Sequence, residues 1–320
     1  MKLTPKLTLL LTVPPMLWAG NAVVGRVMVP LVPPLRLNAL RWLLTLLVLL
    51  VIGRQAIATP ARRQAIWQRR GHFARIGLLG VGAYNAMQYL ALTTSTPINV
   101  TLIAASMPLW MVLIGALFFG ERPHARQMAG AALSLAGVAV VLGRGDPAAL
   151  ARVQFVQGDL FMLVAAACWA GYSWLLVRPP SHMLGAARPM IDSAARADQP
   201  ATQRPWNWSE FLLVQVLFGV LWASGAAGLE AVLSPQQAHW SASVGWALAY
   251  LVAGPSLLAY ACYGRAVAVI GPTTASLFVN LTPLFAALLS TALLGEAPHA
   301  YHGVAFGLIV AGIAASARRG

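Results

Sequence analysis

Polar and large aromatic side chains inside otherwise apolar runs are the residues of this sequence best suited to hold a small molecule. Their amide, hydroxyl and indole groups form hydrogen bonds in surroundings where polar groups are costly and usually functional. Tyr84 and Gln88 are four residues apart, which puts both on one face of a helix. We predict a binding pocket that these two residues line together with Trp18, Asn21, Trp110, Trp169, Tyr172, Tyr260 and Asn280. The alternative is that some of them bond neighbouring helices or fill space.

Two prolines, Pro108 and Pro283, fall near the middle of their apolar runs. A proline inside a helix removes one backbone hydrogen bond and bends the helix. We predict that both kink their helices and take part in gating, because carbonyl groups freed at a break can bind a solute or permit a bend. A static kink that improves packing explains the same prolines equally well.

Arg26 and Arg41 lie within about two turns of one end of their runs, where long side chains can reach the surface. A functional interpretation is an outer basic vestibule in which both guanidinium groups contact solute carboxylates. No acidic residue lies in the middle of a run, which argues against a proton relay built from carboxylates.

Motifs of catalysis and cofactor binding are missing from the sequence. It contains no HExxH, GxSxG or Walker A motif. Glu296, His299 and His302 follow at steps of three, but Pro298 interrupts the helical turn that would make them metal ligands. We therefore expect no metal, no cofactor and no enzymatic activity, and we keep an intramembrane enzyme as the weakest alternative.

The composition requires an apolar surrounding for most of the chain's surface. Of its 320 residues, 59% are hydrophobic and 9% charged, and the mean hydropathy is +0.71. A soluble globular protein has about 25% charged residues. The net charge of +14 would suit a nucleic-acid-binding protein, but the basic residues lie in loops between apolar runs. The lipid bilayer is therefore the expected partner, and nucleic acid is not.

Ten apolar runs are long enough to cross the roughly 30 Å hydrocarbon core of a membrane as helices. The predicted spans are 8–29, 36–53, 76–93, 97–119, 126–142, 158–177, 210–232, 243–267, 272–294 and 301–317. The first run is too long for the apolar part of a signal peptide, so we expect it to be retained. The predicted fold class is an all-α polytopic membrane protein with ten transmembrane helices.

Basic residues are distributed unequally between the two ends of these spans. With the N-terminus inside, five of the 22 lysines and arginines fall outside and the other 17 fall inside. The five are Arg26, Arg36, Arg41, Arg144 and Arg152. Because positive residues favour the cytoplasmic side, we predict that both termini are cytoplasmic in a cell inner membrane.

An internal repeat relates the two halves of the chain. A shift of 175 positions aligns Pro108 with Pro283, Gly137 with Gly312, and two Pro-His-Ala triplets with each other. Each repeat holds five spans, and because five is odd, the second copy enters the bilayer inverted relative to the first. Two inverted halves can open a central site to either side of the membrane, which is a transporter architecture.

The predicted organisation has two repeats and one linker. An N-terminal five-helix repeat spans 1–150, and the first helix of the second repeat lies in 151–177. The proline-rich stretch 178–209 is a cytoplasmic linker loop, and the remaining four helices span 210–320.

Several motifs resemble one family of transporters. They are Trp18-Ala-Gly-Asn21 with Trp169-Ala-Gly-Tyr172, Arg41-Trp42, and the pairs Pro108/Glu121 and Pro283/Glu296. Together with the five-plus-five layout, they resemble the drug/metabolite transporter (DMT) superfamily of the EamA type, and within it YddG-like exporters, over nearly the whole chain. The resemblance implies export of a small-molecule substrate, in the first place an amino acid with an aromatic or apolar side chain, by alternating access. The long linker departs from the family pattern.

A passive solute channel or facilitator is the alternative function. The sequence contains no charged filter ring and no selectivity-filter signature. It also lacks a nucleotide-binding motif that would make the chain its own ATP-driven motor.

Overall fold

The computed structural model describes residues 4–95, 100, 103–143, 145–152, 156–177, 206–234, 236–294 and 299–317, and most of these residues are helical. No strand occurs among these residues. Most of the linker predicted at 178–209 lies outside the described residues.

The N-terminal half contains seven of the described helices. They are α1 (Pro5–Met28), α2 (Pro34–Ile52), α3 (Pro60–Gln68), α4, α5 (Met107–Phe119), α6 (Ala125–Leu142) and the short α7 (Pro147–Ala151). Helix α4 is continuous and has three parts: Arg70–Gly77, a π-helical segment Leu78–Ala83, and Tyr84–Thr94. A 3-10 turn, Arg54–Ile57, precedes α3.

The C-terminal half contains six described helices. They are α8 (Gln157–Val177), α9 (Trp208–Leu233), α10 (Ala242–Ile270), α11 (Pro272–Val279), α12 (Thr282–Leu294) and α13 (Ala300–Ala317). Helix α10 also contains a π-helical segment, Val252–Leu258.

Five helices in the described part of the chain are long and apolar enough to cross a membrane: α1, α2, α8, α9 and α10. Shorter apolar helices occur at Met107–Phe119 and Gly303–Ala315. Each of the ten predicted spans overlaps a helix, but the spans predicted at 97–119 and 272–294 are not continuous. The first is interrupted at Ala105 and Ser106, just before α5, and the second is divided into α11 and α12 at Asn280 and Leu281.

Helix starts follow from local side chains. Thr4 caps α1 by accepting a hydrogen bond from the Leu7 amide at 3.3 Å. Asn207 and Glu210 form a capping box at the start of α9, where each side chain accepts a hydrogen bond from the backbone amide of the other residue. Prolines begin many of the helices, since the first turn needs no donor from their nitrogen.

Helix bounds repeat along the chain with the shift found in the sequence. Adding 175 to the bounds of α5 gives those of α12, and adding 175 to the bounds of α6 gives those of α13. The π-helical segment of α4 corresponds to that of α10 within one residue. Both segments contain residues of low helix propensity: Gly80 and Gly82 in α4, and Gly254-Pro255 in α10, where the proline also removes a hydrogen-bond donor.

Glycines bring α6 and α13 into close contact. A Cβ atom at Gly137 would come within 2.8 Å of the Ala305 carbonyl oxygen, and one at Gly312 would come within 2.6 Å of the Gly130 carbonyl oxygen. Position 130 therefore faces 312, and 137 faces 305, so the two helices run antiparallel. Each contact is the counterpart of the other under the shift of 175, which is the pattern that a two-fold axis produces.

Candidate functional site

Six aromatic residues from four helices meet in the interior of the bundle. This aromatic cluster comprises Trp18, Tyr84, Trp169, Tyr172, Tyr260 and Tyr263. Five of its members are buried, and Trp18 is half-buried. The helices that contribute these rings belong to both halves of the chain.

The two repeated tryptophans lie against each other. The ring centroids of Trp18 on α1 and Trp169 on α8 are 5.0 Å apart, with the rings at 84°. This edge-to-face arrangement is favourable for aromatic pairs. The motif that recurs in the sequence is thus brought together at one place, where α1 and α8 approach each other.

Two tyrosine hydroxyls of the cluster, those of Tyr260 and Tyr263, are held by polar partners. The Tyr260 hydroxyl donates to the Gly80 carbonyl and accepts from Asn85 Nδ2 at 3.3 Å. The Tyr263 hydroxyl lies 3.0 Å from Ser173 Oγ. These bonds fix each ring's orientation, because a buried hydroxyl without a partner would be costly.

Both π-helical segments adjoin this cluster and supply carbonyl groups to it. In α4, the Val81 carbonyl accepts from Asn38 Nδ2 at 3.2 Å, next to the Gly80 carbonyl bound by Tyr260. In α10, the Pro255 carbonyl accepts from Trp18 Nε1 at 3.4 Å. Irregular helix turns leave carbonyls available for side chains of neighbouring helices, and such turns are frequent at functional sites.

A buried arginine lies beside the aromatic cluster. The Arg41 side chain is fully buried, and its Nε donates to Ser256 Oγ at 2.5 Å. Its Nη1 lies 3.0 Å from each of three oxygens, those of the Asn21 and Asn85 side-chain amides and the Tyr89 hydroxyl. We call these five residues the arginine network.

Seven of the nine predicted pocket residues are brought together. Five of them belong to the aromatic cluster. The other two, Asn21 and Gln88, are joined by a 3.0 Å hydrogen bond from Asn21 Nδ2 to Gln88 Oε1, and Asn21 is also part of the arginine network.

Trp110 and Asn280 lie apart from this group. Trp110 is half-buried on α5, and no ring contact among the described residues joins it to the cluster. Asn280 is buried at the break between α11 and α12, and neither polar atom of its amide has a hydrogen-bond partner among the described residues.

The predicted spans are broken next to Pro108 and Pro283, so these prolines do not kink a continuous helix, and their part in gating stays a prediction. Both prolines lie in the first turn of a helix, α5 and α12 respectively, where a proline costs no helical hydrogen bond. Among the described residues, the prolines inside helices are Pro14 and Pro15 in α1 and Pro255 in α10.

The predicted pairing of Arg26 and Arg41 in one outer vestibule also needs correction. Arg26 is exposed and donates to the Leu92 carbonyl at 2.6 Å, whereas Arg41 is fully buried in the arginine network. Arg41 does not extend toward the surface because four oxygens of other helices hold its guanidinium group inside the bundle.

Sequence reasoning missed Tyr89, Ser256 and Gln215. Tyr89 follows Asn85 by four residues, so helical spacing could have placed it on the same face. Ser256 gives no sequence signal beyond its position after Pro255. Gln215, whose amide lies 3.3 Å from the Tyr172 hydroxyl, is a polar residue inside an apolar run and could have been included on that ground.

A cavity of about 460 Å³ lies elsewhere, between α2, α9 and the segment that precedes α10. It is lined by Arg36, Leu40, Leu43 and Trp240 among others, and none of the predicted pocket residues lines it. It lies on a different face of α2 from Arg41.

Comparisons with known proteins find relatives over nearly the whole chain. Residues 6–143 and 201–318 match the EamA-like transporter family. An uncharacterized transporter of Archaeoglobus fulgidus is 26% identical over 96% of both chains. The uncharacterized transporter YyaM of Bacillus subtilis is 21% identical over 77% of this chain and 72% of its own.

A shorter match and a solved structure complete the comparison. The aromatic amino acid exporter YddG of Ancylobacter novellus is 33% identical over 97 residues, which are 30% of this chain and 34% of its own. One crystal structure shares the fold with a TM-score of 0.70 at 23% identity, over 97% of this chain and 96% of its own. The chain therefore belongs to the EamA-like transporter family of the drug/metabolite transporter superfamily, and it is a multi-pass membrane transporter of a small molecule.

Proposed function

We propose that this protein exports small organic metabolites, in the first place amino acids with aromatic or apolar side chains, across a cell inner membrane. The observation that carries the proposal is the aromatic cluster, to which both halves of the chain contribute rings. Aromatic walls with a few polar groups suit an amphipathic solute of amino-acid size. The name of the Ancylobacter novellus relative, an aromatic amino acid exporter, supports the same solute class.

Alternating access between two inverted five-helix repeats is the proposed mechanism. The matching helix bounds and the antiparallel, two-fold related contacts of α6 and α13 support an inverted repeat. In such carriers the solute site lies between the halves, near the midplane of the membrane. The proposed site is the aromatic cluster together with Asn21 and Gln88, with Trp110 and Asn280 as more distant members.

A passive channel is the competing mechanism, and the closed cluster argues against it. A channel needs a continuous path for its solute, whereas the Trp18 and Trp169 rings are in contact at the centre of the bundle. A carrier that is closed at its centre must rearrange for each solute molecule, which makes transport saturable.

Counterflow in vesicles that contain only the purified protein tests this proposal. We expect labelled L-phenylalanine, L-tryptophan or L-leucine to enter several-fold faster when the vesicles are preloaded with the unlabelled amino acid, and the rate to saturate. Empty vesicles provide the control. Linear uptake without acceleration by preloading would establish a channel, and no movement of any amino acid would refute the solute class.

A further inference from the structure

Arg41 is a buried cation without a described anionic partner. It is the eighth residue of α2, about 10 Å along the helix from Pro34, and its side chain is fully buried. Its four hydrogen-bonding partners are hydroxyl and amide oxygens, and all of them are neutral. The ion pairs found in the described part of the chain, Arg36–Glu230 and Arg62–Glu210, do not include it.

The donors of this guanidinium group are used unevenly. A guanidinium group has five N–H donors: one on Nε and two on each terminal nitrogen. Nε has an acceptor in Ser256, and Nη1 has three oxygens for its two hydrogens. Nη2 is buried and has no acceptor among the described residues. Two charged donors are thus left for a further group.

A cation in this situation is costly unless an anion reaches it. Burial of a charge without a counter-charge is strongly unfavourable, and ionisable residues inside membrane bundles mark solute or ion paths by default. A carboxylate is the anion that matches a guanidinium group in geometry, because its two oxygens accept two parallel hydrogen bonds.

The arginine network is continuous with the aromatic cluster. Asn85 binds both Arg41 Nη1 and the Tyr260 hydroxyl. Asn21 lies one turn beyond Trp18 on α1, and Ser256 follows Pro255, whose carbonyl accepts from the Trp18 indole. A solute with its apolar part among the rings would therefore have its polar end beside Arg41.

We propose that Arg41 binds the carboxylate of the transported solute, so that the protein requires a carboxylate and not an amino group. This inference rests on the proposed function and deepens it. In the structure described, where the aromatic rings are in contact with each other, the amide oxygens of Asn21 and Asn85 accept hydrogen bonds from Arg41 Nη1. A bound solute carboxylate would take over some of these hydrogen bonds. Small carboxylates with an aromatic or branched apolar body are the substrate class.

Three analogues of one solute test the requirement on the wild-type protein. The probes are 3-phenylpropionate, which lacks the amino group, phenethylamine, which lacks the carboxylate, and L-phenylalaninamide, in which the carboxylate is neutralised. Each competes with labelled L-phenylalanine in counterflow, and each is tested separately for thermal stabilisation of the purified protein. We expect 3-phenylpropionate to bind within a few-fold of L-phenylalanine. The amine and the amide should bind at least about tenfold more weakly, because they lose hydrogen bonds to a charged group.

Variants of Arg41 test whether this residue is the cause. Arg41→Gln should lose at least about tenfold in L-phenylalanine affinity while phenethylamine affinity stays within about twofold, and Arg41→Lys should keep part of the preference for carboxylates. The control is Arg63→Gln, which removes an exposed arginine of α3 and should leave the preference unchanged. If Arg41→Gln does not fold, Arg41→Lys and the wild-type probes still decide the question.

The outcomes separate this inference from the proposed function. Counterflow of L-phenylalanine with equal binding of L-phenylalaninamide would leave the export function in place and overturn the role of Arg41. A folded Arg41→Gln variant that still prefers carboxylates would do the same. Carboxylates that bind and stabilise the wild-type protein without any counterflow would support the Arg41 site and refute the export function.

Discussion

Trp169 is the central residue of the candidate site. Its ring is in contact with every other member of the aromatic cluster, at centroid distances between 4.7 and 5.5 Å. Its exposed fraction is 1%. A ring in this position both fills the interior and forms the surface that a solute would meet, so its two roles must be separated by substitution.

Substitutions of Trp169 separate packing from selectivity. Trp169→Ala should lower the free energy of unfolding by about 3–5 kcal/mol, because it leaves a large cavity. Trp169→Phe should keep the fold and change the relative flux of aromatic and aliphatic amino acids. Flux in vesicles, normalised to folded protein, is the measurement.

Trp174→Phe is the matched control for Trp169→Phe on the same helix. Trp174 lies outside the aromatic cluster, where it stacks on Phe119 and donates to the Met111 carbonyl at 2.8 Å. If Trp169→Phe and Trp174→Phe both reduce flux in proportion to folded protein, and equally for all solutes, Trp169 is a packing residue only.

At the scale of elements, the contact between α6 and α13 depends on the absence of side chains. A side chain at Gly312 would collide with the Gly130 carbonyl oxygen, and a backbone atom cannot move aside as a flexible side chain can. The equivalent contact at Gly137 has the same character. Small residues at such crossings let helix backbones approach closely inside a membrane.

Two glycines of α13 should respond in opposite directions to alanine. Gly312→Ala should lower stability by about 1–3 kcal/mol, because the new methyl group forces the helices apart. Gly307→Ala should raise stability by up to about 1 kcal/mol, because Gly307 is exposed, has no neighbour within 4 Å and gains helix propensity. Thermal unfolding in detergent measures both, and equal effects would contradict the close crossing of α6 and α13.

At the scale of the whole molecule, the orientation in the membrane remains a prediction from the distribution of basic residues. It can be tested at two exposed alanines, Ala61 on α3 and Ala148 on α7. The N-terminus-inside arrangement puts Ala61 in the cytoplasm and Ala148 outside. The native cysteines, Cys168 and Cys262, are first replaced by alanine.

A cysteine at Ala148 should react with an impermeant thiol reagent in intact cells, and one at Ala61 should react only after the membrane is permeabilised. The permeabilised sample controls for reactivity at both positions. The reverse pattern, with Ala61→Cys labelled in intact cells, would show that the protein has the opposite orientation in the membrane. Flux from the face that contains Ala61 to the face that contains Ala148 would then be import and not export.

The sequence by itself determined the class of protein and the positions of its helices. An apolar run as long as a membrane span forms a helix in lipid, because each backbone N–H and C=O group must find its hydrogen-bond partner within the segment. For this reason the predicted ranges overlap the observed helices, and the shift of 175 reappears in the helix bounds of α5, α6, α12 and α13. The recurring Trp-Ala-Gly motif also pointed to residues that the structure brings together.

Only the tertiary structure decided what these residues contact. The depth of Arg41 along α2 was readable from the sequence, but its burial was not, because Asn21, Asn85 and Ser256 come from three other helices. Pro108 and Pro283 lie in the first turns of α5 and α12, just after breaks that hydropathy does not reveal, because both predicted spans are apolar on each side of the break. Hydropathy can be read from one segment alone, whereas a site of this kind depends on the distances between side chains of several segments.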